Sequence, residues 1–273
     1  MKKIISVFTA FILVTFIASA STNAFWFVQI TDTHFGKSAH HTRYTNAIER
    51  INNLPFPVEM VVHTGDFASD NFEKNAGAIS NYLAKITIAP VIGVAGNHDL
   101  TTYRPATRLG ESLASYRAHI GELGVVRETA NALYIAVCTE GLFRDLKSVT
   151  DFDPIAFTRD ALAANTNNLP AFVFVHRPDT PDFYNNTRHE SRMERRDEWR
   201  KTLVDGKATA VIAGHFHRDE IHNDAYGVPT YVASSIAEYW GRQGSFRVYY
   251  FENNHLSYHT VYIEDPAPET ASE

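Results

Sequence analysis

One cysteine, Cys138, stands in 273 residues, so no internal disulfide braces the chain and the thiol is expected to be buried in a strand. Long apolar runs are missing too. The uncharged stretch at residues 4–17 is well short of the roughly 20 residues that span a bilayer. It follows Lys2 and Lys3 and precedes the small residues Ala18-Ser19-Ala20 and Thr22-Asn23-Ala24. That order reads as a secretory signal peptide cut after Ala20 or Ala24, which predicts an exported protein, periplasmic or secreted, with no stable membrane anchor. No cysteine stands directly after the cleavage region, which argues against a lipid-anchored form.

An excess of positive charge is likewise absent. Lys and Arg number 25 against 31 Asp and Glu, a net charge of −6; without Lys2 and Lys3 the balance is 23 against 31, or −8. Such a surface does not draw in a nucleic-acid duplex or anionic lipid by bulk attraction. An anionic substrate therefore needs a local positive centre. The chain also lacks internal repeats and any interdomain linker, and its 44% hydrophobic content is that of a globular protein. The expected organisation is a signal peptide over 1–24, one domain over 25–264 and a disordered polar tail over 265–273.

What is present is a series of short, continuous apolar runs: 25–30, 58–63, 90–95, 171–175 and 208–213. They read as buried strands. Helices are predicted over 42–53, 71–85, 113–120 and 159–167, with a further strand over 132–137. Runs at 230–233, 245–251 and 256–263 alternate and are rich in aromatics, as antiparallel strands are, and predict a second sheet packed on the first. Residues 180–200 turn polar and read as a loop and solvated helix, with a rim contribution to phosphate binding as the sharper alternative. The fold class is α/β, with a site at the carboxyl ends of the strands.

Each of the five apolar runs delivers a polar cluster: Asp32-Thr33-His34, Gly65-Asp66, Gly96-Asn97-His98-Asp99, His176, and Gly214-His215-Phe216-His217. Taken singly, these are ordinary turn and capping residues. Together they offer hard oxygens and imidazole nitrogens at five strand ends, the ligand types of a two-metal site. The two oxygens of Asp66 suit a ligand shared by two cations. Asn97 offers a carbonyl oxygen without adding charge, His98 is placed to face substrate, and Asp99 to orient that imidazole. Eight further histidines (His40, His41, His63, His119, His189, His222, His255 and His259) fall outside the clusters and receive no role.

All five blocks, in this order, resemble the calcineurin-like metallophosphoesterase family. The resemblance implies a four-layer α/β/β/α sandwich of two mixed sheets with a dinuclear metal site at the strand ends. It implies that Asp32, His34, Asp66 and His217 hold one metal and that Asp66, Asn97, His176 and His215 hold the second. His98 then becomes the catalytic histidine, with Asp99 behind it. Nitrogen and oxygen ligands without thiolate suit manganese, iron or zinc. The purple acid phosphatase branch carries a tyrosine where Ser69 stands and lacks the first histidine, so the pattern is closer to the cyclic-nucleotide phosphodiesterase-like branch. The expectation is a metal-dependent phosphoesterase that hydrolyses small phosphodiesters through a metal-bridging hydroxide. Phosphomonoester hydrolysis is the alternative, and a non-catalytic metal-binding protein stands behind both.

Overall fold

The computed structural model describes residues 24–36, 38–100, 106–144, 146–147, 149–180, 193–223, 226–237 and 240–263. All but Ala24 of the expected signal peptide, and the expected tail, lie outside these residues, as do 181–192 of the polar segment. Among the described residues no helix is long and apolar enough to cross a membrane.

In chain order the elements are β1 (Phe25–Ile30), α1 (Ser38–Asn52), β2 (Val61–His63), α2 (Phe72–Leu83), β3 (Val91–Gly93), α3 (Asn97–Leu100) and α4 (Ala106–His119). There follow β4 (Gly124–Glu128), β5 (Leu133–Val137), α5 (Pro154–Ala163), β6 (Ala171–Phe174), α6 (Arg196–Asp205) and β7 (Ala210–Ala213). The last four strands are β8 (Glu220–His222), β9 (Thr230–Val232), β10 (Ser245–Glu252) and β11 (His255–Tyr262).

They form two mixed sheets, ordered β11-β10-β1-β2-β3 and β4-β5-β6-β7-β9-β8. Strands β1, β2 and β3 run parallel, as do β5, β6, β7 and β9, so their carboxyl ends gather at one edge. The alternation of the pleat explains why the strand sequences are apolar throughout. Phe25 and Phe27 of β1, Val62 of β2, Phe172 and Phe174 of β6 and Ile212 of β7 meet in the layer between the sheets. Val28 and Ile30 turn the other way onto Tyr44, Ile48 and Ile51 of α1. Val173 and Val211 pack outward against Leu162 of α5 and Trp199 and Leu203 of α6. The result is an α/β/β/α sandwich, with each fully buried large side chain contributing on the order of 2 kcal/mol.

One polar column crosses that inner layer. Gln29 Nε2 donates to Thr64 Oγ1 and to the Ala213 carbonyl, both at 2.8 Å, while its Oε1 accepts from Tyr249 Oη at 2.9 Å. Arg247, fully buried, donates through Nη1 to Tyr249 Oη at 3.3 Å and pairs through Nη2 with Asp219 at 3.1 Å.

Several elements differ from the sequence expectation. Helix α5 starts at Pro154, five residues before the predicted 159, because Asp153 caps it by accepting from Ile155 N at 2.9 Å and Ala156 N at 3.2 Å. Strands β4 and β8 were not expected from the sequence. The aromatic-rich strands do not make a sheet of their own: β9 lies beside β7 in the second sheet, whereas β10 joins the first, antiparallel to β1, with Phe27 opposite Tyr249. The physical reason is that stacked Phe27 and Tyr249, 4.8 Å apart, bury both rings in the inter-sheet layer. Cys138 is buried immediately after β5.

Candidate metal centre

The five clusters meet at the shared strand-end edge. Asp32, His34, Asp66 and His217 each direct one donor atom into a space where those atoms lie within 4.8 Å of one another, and Asp66, His176 and His215 do the same beside it. Asp66 belongs to both groups. His217 Nε2 is 3.0 Å from Asp32 Oδ1 and 3.2 Å from His34 Nε2, which in turn is 3.8 Å from Asp66 Oδ2. On the other side, His176 Nε2 is 3.2 Å from Asp66 Oδ2 and 3.0 Å from Asn97 Oδ1. All seven residues read from the sequence as ligands are thus brought together, six of them buried and His215 half-buried.

The backbone is bent to do this. Asp32, His34, Asp66, His215 and His217 are five of the twelve non-glycine residues with positive φ among those described. Left-handed backbone costs a side-chain-bearing residue about 1–3 kcal/mol and persists where the surroundings enforce it. Glycine makes room at two of the turns. Gly65 has φ +94° and passes against the His176 ring, while a Cβ at Gly214 would overlap Thr31 Oγ1 and press on Asp32 Oδ2.

A second set of contacts aims the donors. His176 Nδ1 donates to the Thr64 carbonyl at 2.8 Å, which leaves Nε2 for the centre. Asp32 Oδ2 accepts from Thr31 Oγ1 at 2.6 Å and His215 N at 3.0 Å, freeing Oδ1 to face His217. His98 N donates to Asp66 Oδ1 at 2.8 Å, so Oδ2 is the oxygen turned toward the imidazoles of His34 and His176. His63, outside the clusters, has a supporting part. It accepts from Gly65 N at its Nδ1 (3.2 Å) and meets Thr33 Oγ1 at its Nε2 (3.0 Å), and burial lowers its imidazole to about 3, so it is neutral. His40 Nδ1 lies 2.8 Å from the His34 carbonyl.

Burial opposes the charge on Asp32, but His217 and His34 outweigh it and hold the carboxyl well below the usual range. Asp66 is lowered in the same way: burial works against its charge, and His176, His98 and His34 overcome it. For His176, burial alone would lower the imidazole, yet Asp66, Asp32 and Glu140 raise it to about 10. Two ionised carboxylates, a carboxamide oxygen and four imidazoles, with the His176 proton displaced by the cation, make a set of lone pairs that fits two divalent cations.

His98 is half-buried beside the first group, its ring 5.0 Å from that of His34. Its Nδ1 donates to the Ser69 carbonyl at 2.6 Å, which sets the orientation of the ring. Asp99 differs from the expectation. Its two oxygens accept from Gly96 N (2.8 Å) and Ala68 N (3.2 Å), and burial together with the charge of Asp66 raises it to about 8. Asp99 therefore holds the turn that carries His98, and the Ser69 carbonyl orients the ring. Ser69, Thr64 and His63 are contributors that sequence reading missed: Ser69 and Thr64 act through their carbonyls, and His63 through ring contacts with Gly65 N and Thr33 Oγ1 that its place outside the clusters does not announce.

The sequence profile of the calcineurin-like phosphoesterases matches residues 25–219. No curated protein matches the chain. Among solved structures, a purple acid phosphatase from yellow lupin (Lupinus luteus) superposes with a TM-score of 0.64 at 13% identity, covering 87% of this chain and 51% of that one. The chain thus spans about half the length of the lupin enzyme. GAP50, the anchor in the inner membrane complex of Plasmodium, gives 0.59 at 14% identity with 90% of both chains covered. A dimetal phosphatase from Danio rerio gives 0.56 at 13% identity, covering 88% of this chain and 99% of the other. At these identities the likeness concerns the fold.

Proposed function

This chain belongs to the calcineurin-like phosphoesterase family, and we propose that it is a metal-dependent phosphoric ester hydrolase that uses two metal ions and acts on small phosphodiesters. Asp32, His34, Asp66 and His217 would hold one ion and Asp66, Asn97, His176 and His215 the other, with Asp66 between them. What two bound cations supply is a nucleophilic water at neutral pH and a grip on the phosphoryl oxygens.

The chain's own residues do the rest. The Ser69 carbonyl holds the Nδ1–H of His98, and in its imidazolium form His98 would give the second proton, on Nε2, to the departing ester oxygen, a contribution of about 10²–10⁴-fold. Asp99 keeps the turn that carries His98 in place. Thr64 and Thr31 aim His176 and Asp32.

The observation that carries the diester preference is the pair His34 and Ser69. His34 stands inside the first group, and Ser69, small at this position, donates its hydroxyl to the His34 carbonyl at 2.8 Å. His34 belongs to the Asp-x-His pattern that the sequence shares with the phosphodiesterase-like branch, and Ser69 stands where the purple acid phosphatase branch carries a tyrosine. The test is hydrolysis of bis-p-nitrophenyl phosphate against p-nitrophenyl phosphate after chelation and readdition of manganese, iron or zinc. Metal-restored preference for the diester is expected. Preference for the monoester would replace the reading by a phosphatase, and bound metal without turnover by a non-catalytic binding protein.

We further propose export, on the strength of Lys2, Lys3 and the apolar run at 4–17. Amino-terminal sequencing of the protein from fractionated cells would find a start after Ala20 or Ala24; an intact Met1 in the cytosolic fraction would overturn it.

A further inference from the structure

Gln29 and Arg247 are fully buried, and Gln29 shares the inward face of β1 with Phe25 and Phe27. Packing alone does not call for either. Burying an amide and a guanidinium costs desolvation, and replacing a buried polar network as a whole by apolar side chains of like volume is commonly neutral or stabilising. What the two residues touch gives them a task.

Gln29 Nε2 donates at 2.8 Å to Thr64 Oγ1 and, across the layer, to the Ala213 carbonyl. The carbonyl of that same Thr64 accepts from His176 Nδ1 at 2.8 Å, and Ala213 is the last residue of β7, two before His215. Gly214 N, between them, donates to the His176 carbonyl at 3.1 Å. One amide thus bears on both imidazoles of the second donor group.

Arg247 serves the other group. Its Nη2 lies 3.1 Å from Asp219 Oδ1, which also accepts from Ser234 N at 2.9 Å, while Asp219 Oδ2 accepts from Thr260 Oγ1 at 2.6 Å. Asp219 stands two residues after His217, and Ser234 Oγ donates to the His217 carbonyl at 3.3 Å. Tyr249 Oη joins the two arms, donating to Gln29 Oε1 and accepting from Arg247 Nη1. The histidines that the arms hold follow β6 and β7 of the second sheet, whereas Asp32, His34, Asp66 and Asn97 follow strands of the first, to which Gln29 and Arg247 belong. The column therefore spans the gap across which each ion is gripped.

We propose that Gln29 and Arg247 are positioning residues, one for each ion: Gln29 holds His176 and His215 for the second, and Arg247, through Asp219, holds His217 for the first. This rests on the two-metal reading of the centre and not on the choice of substrate. Contacts that support ligands in this way are worth about 10–100-fold in metal affinity.

The test is calorimetric titration of manganese into the chelated full chain, with His176→Ala and His217→Ala marking which binding step belongs to which ion. Gln29→Met, which keeps the length and removes the amide, should weaken the step that His176→Ala abolishes by about 10-fold or more and leave the other nearly unchanged. Arg247→Met should do the reverse. Tyr249→Phe removes only the hydroxyl that joins the arms and should weaken both steps, less in each. Asp153→Ala, a cap far from the centre in sequence, lowers stability and should weaken neither, so a site-selective loss is one that general destabilisation does not produce. Parent affinities in Gln29→Met or in Tyr249→Phe, or equal loss of both steps in Gln29→Met, would each overturn the proposal. A parent that binds fewer than two manganese ions would sink the two-metal reading and the proposal with it, whereas two bound ions without turnover of bis-p-nitrophenyl phosphate would sink the hydrolase alone.

Discussion

His98 Nδ1 lies 2.6 Å from the carbonyl of Ser69, whose hydroxyl in turn reaches the carbonyl of His34 at 2.8 Å. One small residue therefore sets the orientation of the proposed proton donor relative to a proposed ligand of the first metal. The two histidines do different work under this arrangement, and substitution separates them.

Asp66→Asn should abolish turnover and weaken retention of both metals, since Asp66 takes part in both donor groups. His98→Ala should lower turnover by about 10²–10⁴-fold with metal content nearly unchanged. Elemental analysis beside rate measurement decides; equal metal loss in the two variants would remove His98 from its role.

Gly214→Ala forces a methyl group onto Thr31 Oγ1 and Asp32 Oδ2. The expected outcome is a folded but less stable protein with impaired metal retention, seen as a lower thermal midpoint that added manganese no longer raises. A variant that behaves like the parent would show that the turn relaxes freely.

Chelation itself should lower the thermal midpoint of the parent protein. Ions held by the folded state alone stabilise it by about 2.7 kcal/mol at a hundredfold excess over Kd. Asp66→Asn should lose most of this metal-dependent rise.

Gln29→Leu should cost about 2 kcal/mol in urea unfolding, because Tyr249 Oη and the Ala213 carbonyl would each lose a partner inside the inter-sheet layer. A neutral result would mean that water replaces the amide.

Asp153→Ala removes the cap of α5 and should cost about 1 kcal/mol at neutral pH with activity unaffected. Burial works against the Asp153 charge, but Arg195 and the amides of Ala156 and Ile155 outweigh it and depress the carboxyl. A depressed carboxyl stabilises above its unfolded value and loses that contribution as pH falls through its folded value. The gap between parent and variant in denaturation midpoints should therefore narrow below about pH 4. A gap independent of pH would assign the effect to packing.

The five clusters that meet at the strand-end edge were legible in the sequence because each follows on a buried strand, so a local apolar run points to them. Asp32 and His34 after β1 and His215 and His217 after β7 need no knowledge of the rest of the chain. Pairing between distant strands was not legible in the same way. Nothing within 245–262 states that β10 lies against β1. Strand β8 was hidden by inverted burial: Glu220 and His222 face inward, 2.9 Å apart, while Ile221 is exposed, so the usual alternation reads backwards. The start of α5 was present in the sequence as Asp153 followed by Pro154, a capping residue and a first-turn proline. The part of Asp99 was misjudged because its partners are amides of Gly96 and Ala68, which sequence spacing does not single out.

The pairing of β10 with β1 also orders events during synthesis. Strand β1 is made well before β10, yet one of its two edges is covered only by residues 245–252. Until that hairpin emerges, Phe27 lacks Tyr249 and β1 offers an unpaired edge to any neighbouring strand. Closing contacts of such long sequence separation makes folding slow and leaves the nascent chain prone to aggregation. A nascent chain halted before Ser245 should therefore remain protease-sensitive and bind chaperones, and release of the last two strands should convert it to the resistant fold.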